Sequence, residues 1–295
     1  MKKLLAGIAA FIAVCTAGAV YLERTYLRTL KKKFESGVTD ENIAWINSVP
    51  HKDVYMVTRD GYCMHGLVFD NGSRNWVIAV HGYDSESRGM VRYAKRFLEE
   101  GFSVFMPDMR GMGLSEGTRT SMGHFEKYDV IDWIRKLNAE YTPDSITLFG
   151  VSMGAATVML TAGETLPENV KAVVEDCGYS SVREQFEHSM HDIYHLPPYP
   201  VLWITDIITR LNAGWSFLKD ADCMKAVSRS KLPMCFIHGT EDTFVPFRMQ
   251  RKLYEACRHP DKEILAVKGA KHTEACVIEP EVYWNTVLGF IRKNI

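Results

Sequence analysis

From about residue 53 the chain alternates short β-rich runs with amphipathic helical ones. DVYMVTRDGYCMHGLVFD (53–70) sets Asp60-Gly61 between two β-prone runs, and this dipeptide closes hairpins because both residues tolerate the positive φ of a tight turn. NWVIAVHG (75–82), SVFMPDMRG (103–111), SITLFGVS (145–152), VKAVVEDC (170–177), MCFIHGTED (234–242) and KEILAVKGAKH (262–272) follow. Their near-continuous apolar character predicts parallel strands buried on both faces. Between them, MVRYAKRFLEEG stacks Val91, Ala94 and Leu98 on one helical face and stops at Gly101, where a helix C-cap is expected. FEKYDVIDWIRKLNAEY stacks Ile131, Ile134 and Leu137, and PEVYWNTVLGFIRKNI opens with Pro280 in its first turn. A hairpin followed by strand–helix repeats predicts an α/β fold, a mostly parallel sheet with helices on both faces.

Residues 179 to about 230 break this rhythm with helical stretches and HLPPYP but no buried strand. They are expected to form a helical cap insertion over the carboxyl edge of the sheet. Tyr194, Tyr199, Trp203, Trp215 and Phe217 suit either an apolar substrate pocket or the packing of cap on body, the latter for most of them. The first 34 residues stand apart from the 35–295 body. Lys2 and Lys3 precede an uncharged apolar run, Leu4 to Leu22, long enough to span a bilayer. Its full length, ending beyond Tyr21, favours an uncleaved single-pass anchor, and secretion after cleavage at Ala17-Gly18-Ala19 is the alternative. Cys15 follows the bulky Val14, which disfavours a lipoprotein site. Arg24, Arg28 and Lys31–Lys33 form a basic flank after the span and place the body on the cytoplasmic face by the positive-inside rule.

The formal charge of −1 over 295 residues, with no basic run in the body, excludes a nucleic-acid footprint. Seven cysteines without a CxxC pair fit free thiols in a reducing compartment, not a disulfide framework or a zinc site.

The chemistry concentrates around GVSMG (150–154). At the end of a buried strand, Gly150 and Gly154 allow a sharp strand-to-helix turn that lifts the Ser152 hydroxyl above the sheet edge, and Ala155-Ala156 let the helix pack closely. A serine hydroxyl needs a base and a group to orient that base. Asp242 follows one later strand and His272 the next.

The motifs VHGYDS, MPDMRGMGLSEG, GVSMG, IHGTEDTFVP and GAKH resemble those of the α/β-hydrolases, the serine-hydrolase group of lipases, esterases, S33-type serine aminopeptidases and Bem46-like proteins. The resemblance runs from about residue 53 to the C-terminus. It implies Ser152 as nucleophile, His272 as general base and then acid, and Asp242 as its orienting carboxylate. It also implies an oxyanion hole from the backbone N–H groups of Tyr83 and Met153, each such donor carrying roughly a hundred- to thousand-fold in rate. Glu175 and Asp176 compete for the acid's role, since some hydrolases of this fold place the acid at that strand. His81 and His238 read as structural, and Asp108 and Arg110 as ties for a loop beside the site. His188, His191 and His195 share a helical face, yet exposed cap histidines account for them without a metal.

These residues point to a membrane-anchored serine hydrolase acting on a small, apolar acyl substrate, with neither metal nor organic cofactor. A carboxylic ester is the first expectation. Thioester cleavage, an S33-type aminopeptidase and a catalytically idle binding protein at the membrane are the alternatives. Oligomeric state is not legible.

Overall fold

The computed structural model of the chain describes residues 2–29 and 36–295. Eight strands form one sheet: β1 (Lys52–Val57), β2 (Cys63–Phe69), β3 (Asn75–Val80), β4 (Ser103–Pro107), β5 (Ser145–Val151), β6 (Val170–Asp176), β7 (Met234–Gly239) and β8 (Lys262–Val267). Their order is β1-β2-β4-β3-β5-β6-β7-β8. β2 runs antiparallel to both β1 and β4, and the strands from β4 to β8 are parallel. Gly61 takes φ +92° in the predicted hairpin turn.

Alternation along the strands divides the core in two. Trp76, Ile78, Phe105 and Leu148 face α4 (Glu126–Tyr141) and α5 (Met153–Ala162). Val77, Ala79 and Phe149 face α3 (Val91–Glu99) and α11 (Pro280–Asn294). Gly101 sits just past α3 at φ +87°. α2 (Asp40–Ser48), α9 (Arg248–Ala256) and the short α10 (Ala275–Ile278) complete the body. β8 differs from the expectation of burial on both faces, because as the last strand it leaves Glu263 half-covered and Ile264 exposed. The observed strands also end earlier than their apolar runs, at Pro107, Gly239 and Val267, and so release Asp108, Asp242 and His272 into loops.

Between β6 and β7 lie α6 (Val182–His188), α7 (Val201–Ala213) and α8 (Cys223–Arg229). α6 and α7 build the cap, whereas α8 packs on α5 and α9 beside the sheet. Trp215 and Phe217 are buried and seal cap to body, Tyr199 leans on Trp203 with ring centroids 4.8 Å apart, and Trp203 stays exposed.

The apolar N-terminal run is helix α1 (Lys2–Leu22), continued by a π-helical turn over Glu23–Leu27. With mean hydropathy 2.1 it is long and apolar enough to cross a membrane. Its last turns pack on α7. The segment beyond joins the body: Thr120 donates its N–H to the Leu27 carbonyl at 2.9 Å, and Thr29 donates to that of Thr118 at 2.9 Å. Leu27 is buried, and so is Glu23, which pairs with Arg28 at 3.2 Å and with Arg119. Of the basic flank, Lys31–Lys33 lie outside the described residues. The seven cysteines are free thiols, all buried except the half-exposed Cys63.

Candidate active site

The sheet changes direction of winding at β3, with β4 on one side and β5 on the other. Ligands of open α/β sheets bind at such a point, beyond the carboxyl ends of the strands. The loop after β3 and the turn after β5 meet there. Ser152 stands between β5 and α5 at φ +57°, ψ −118°, a conformation that L-residues rarely hold. Two glycines allow it. A Cβ on Gly150 would come within 2.3 Å of the Gly154 carbonyl oxygen, and one on Gly154 within 2.1 Å of that of Val80. No other residue fits either position without moving the backbone.

The turn presents Ser152 Oγ at 2.9 Å from His272 Nε2, and His272 Nδ1 lies 2.7 Å from Asp242 Oδ2. The other carboxylate oxygen, Oδ1, accepts the backbone N–H groups of Phe244 at 3.0 Å and Val245 at 2.9 Å. His238 Nε2 approaches Oδ2 at 3.3 Å. Burial pushes the Asp242 carboxyl up, but the hydrogen bonds from His238 and His272 outweigh it and bring its pKa to about 2. Asp242 is therefore an anion at neutral pH and fixes the proton of His272 on Nδ1. Nε2 is left to accept from the serine hydroxyl.

The competing carboxyls are placed otherwise. Asp176 accepts the Tyr283 hydroxyl at 2.8 Å, and Glu175 accepts the Gly178 N–H at 2.9 Å. Both are fully buried, and burial raises Asp176 to about 6 and Glu175 to about 8. The same corner holds Cys177, whose Sγ lies within 4.8 Å of ligand-type atoms of Asp242 and His272. Burial pushes its thiol up, so it is a neutral thiol there.

The Gly82-Tyr83 turn abuts the serine: a Cβ on Gly82 would stand 3.7 Å from Ser152 Oγ. Met153 is the first residue of α5, where backbone N–H groups have no partner within the helix. Tyr83 and Met153, whose amides are expected to form an oxyanion hole, line the same cavity as Ser152. His81 is buried, accepts the Met109 N–H at 3.0 Å on Nε2 and bonds the Gly82 carbonyl at 2.7 Å through Nδ1. Asp108 accepts N–H groups from Ser87 and Leu114 and bonds His65, while Arg110 bridges Asp129 and Asp60. Both brace the loop after β4.

Above Ser152 opens a cavity of about 160 Å³, lined by Tyr83, Met122, Tyr179, Phe186, Met190 and Phe244 among others. Leu22 and Tyr26, at the foot of α1, also line it. Tyr26 meets Phe186 edge-on at 5.8 Å and bonds the Tyr194 hydroxyl. Sequence patterns gave no sign of this, because a residue in a basic flank carries no period to place it. His238 had a signal, its i, i+4 spacing to Asp242. Of the cap histidines, His188 is buried and bonds Asp192 at 2.5 Å and the Thr243 carbonyl at 2.8 Å, His191 is exposed and bonds the other Asp192 oxygen at 2.8 Å, and His195 is exposed.

Comparisons with known proteins agree with this architecture. YqkD of Bacillus subtilis (strain 168), itself uncharacterized, is 28% identical over 306 residues, covering 99% of this chain and 97% of YqkD. Lysophosphatidylserine lipase ABHD12 of Rattus norvegicus is 28% identical over 188 residues, 60% of this chain and 44% of the lipase. The esterase Pf2001 of Pyrococcus furiosus superposes with a TM-score of 0.73 at 24% identity, over 91% of this chain and 99% of the esterase, which shows a shared fold. The family model described as serine aminopeptidase, S33, matches residues 71–195 and 203–277. That match spans well over half of the sequence, and the chain belongs to the S33 serine aminopeptidase family, as a hydrolase of the α/β-hydrolase fold.

Proposed function

We propose that the protein is a membrane-anchored serine esterase that cleaves apolar carboxylic esters through an acyl-enzyme. Ser152 Oγ attacks the ester carbonyl while His272 Nε2 takes its proton, and the amides of Tyr83 and Met153 receive the developing oxyanion. His272 returns the proton to the leaving alcohol. It then activates a water that attacks the acyl carbon, so that the acid departs and Ser152 regains its proton. Asp242 holds His272 in the one useful tautomer and faces its positive charge.

The observation that carries this reading is the composition of the cavity. Among the described residues its lining is apolar and aromatic, with Gln185 and the serine and tyrosine hydroxyls as the polar groups and no carboxylate. A peptide amino terminus calls for a buried anion, as an aminopeptidase would need. Glu187 and Asp192, two of the cap acids, line a cleft other than this cavity and are engaged by Arg183, His188 and His191. The lipase relative, named for a lysolipid ester, supports the same substrate chemistry. The apolar α1 would hold the enzyme at the membrane, with the body on the cytoplasmic side.

The test is a panel of p-nitrophenyl esters of graded acyl length beside unblocked aminoacyl arylamides, with full-length protein in detergent. Esters cleaved with higher kcat/KM than any arylamide are expected. Faster cleavage of the arylamides would overturn the ester assignment and favour an aminopeptidase.

A further inference from the structure

Helix α7 turns an apolar stripe outward while polar side chains lie on its inner face. Its inner face carries Leu202, Thr205, Asp206 and Thr209, all buried, and its outer face carries Trp203, Ile207 and Leu211, 58%, 56% and 82% exposed. The inner polar groups are satisfied locally. Thr205 and Thr209 donate to carbonyls one turn back, and Asp206 accepts from Ser216 Oγ at 2.8 Å and the Leu218 N–H at 3.1 Å. Arg210, on the outer arc, folds back to Asp206 at 2.8 Å. The exposed stripe at i, i+4 and i+8 is thus apolar, with its single cation drawn to one side. Apolar stripes that face outward are covered by another molecule or by lipid.

The length of α1 says which. Cys15, Ala19 and Leu22 are its buried positions, whereas every residue from Lys2 to Val14 is exposed and projects free of the body. Those residues rise about 20 Å at 1.5 Å per residue. The hydrocarbon core of a bilayer is roughly 30 Å thick. If α1 crosses it, the last third of the hydrocarbon must surround the turns that rest on α7, where a Cβ on Gly18 would stand 3.6 Å from Val201 Cγ1. The outer stripe of α7 then lies at the depth of the acyl chains or their boundary. Ile193 and Tyr194, both exposed, border the cavity next to Leu22 and Tyr26, which places its mouth on the same side.

We propose that α7 is a membrane-docking helix, immersed through Trp203, Ile207 and Leu211, and that it seats the cavity mouth on the bilayer so that substrate enters from the lipid. The docking itself follows from α1 and α7. Delivery of substrate rests also on the esterase reading.

The test uses the full chain reconstituted in phosphatidylcholine vesicles with and without lipid brominated on its acyl chains, beside Trp203→Phe. The part of the tryptophan emission that W203F removes is expected to be quenched by brominated lipid and shielded from aqueous iodide. This readout needs no catalysis, so it separates failure of docking from failure of the esterase assignment. Quenching by iodide but not by brominated lipid overturns the proposal, as does protection from both, the sign of a second copy of the chain on α7. In the W203E/I207E/L211E variant, hydrolysis of a soluble short-chain ester is expected to persist while that of an ester embedded in vesicles falls about tenfold or more, because charge is disfavoured in apolar lipid. An equal change with both substrates, or none with either, contradicts it.

Discussion

Replacing Asp242 with Asn tests the proposed Ser152–His272–Asp242 triad with almost no change of shape. In the wild type Oδ1 accepts two backbone N–H groups, from Phe244 and Val245, and Oδ2 faces His272 Nδ1 at 2.7 Å. Two backbone donors cannot both face an –NH2 group, so the asparagine oxygen must take the Oδ1 place and its nitrogen the Oδ2 place. That –NH2 donates to His272 Nδ1 and moves the imidazole proton to Nε2, which points at Ser152 Oγ 2.9 Å away. The base then offers the serine a proton instead of accepting one. A change of tautomer of this kind in a serine hydrolase triad lowers kcat by roughly 10⁴, which corresponds to about 5.4 kcal/mol of transition-state stabilisation. The assay is kcat on p-nitrophenyl butyrate at neutral pH, with circular dichroism to verify folding. Asp176→Asn is the matched control: its carboxylate bonds Tyr283, not His272, and the variant should stay within about tenfold of wild type. A folded D242N within tenfold of wild type, or a D176N more damaged than D242N, would refute the assignment of Asp242.

Other consequences reach stability and the N-terminal segment. Gly154→Ala forces a Cβ against the Val80 carbonyl oxygen and should lower stability by about 1–3 kcal/mol in urea unfolding, as overpacking does. Glu175 has its pKa raised by burial from 4.5 to about 8, so between those values the folded chain keeps a proton that the unfolded chain has lost. Stability must therefore fall as pH rises through that window and level off above it, and Glu175→Gln should flatten the decline in melting temperature. Leu27→Ala empties a buried site and should cost about 2–5 kcal/mol. Removing residues 1–29 should also raise KM for long-chain esters by stripping Leu22 and Tyr26 from the cavity wall, whereas removing residues 1–14 should leave soluble-ester kinetics intact.

The parts legible in the sequence are those where one local rule acts alone. Buried parallel strands leave unbroken apolar runs, and the Ser152 turn announces itself through two glycines that nothing larger can replace. Asp242 and His272 follow because strand order puts the ends of β7 and β8 beside the serine. The rest depends on packing across distance. Neither the contribution of Tyr26 to the cavity nor the burial of Glu23 between Arg28 and Arg119 leaves a period in the chain. On α7 the apolar Trp203, Ile207 and Leu211 point outward while Thr205, Asp206 and Thr209 are buried, against the usual rule of burial. Strand ends were also hidden, because the apolar run of β7 continues smoothly into the loop that carries Asp242.

The central claim is that Ser152 is a working nucleophile activated by His272. The direct measurement treats the full-length protein in detergent with a fluorophosphonate probe and reads intact mass, beside Ser152→Ala and His272→Ala. A single adduct on wild type, absent from S152A and strongly slowed in H272A, is predicted. A folded wild type that takes no label, or an S152A variant that labels as fast as wild type, would contradict it.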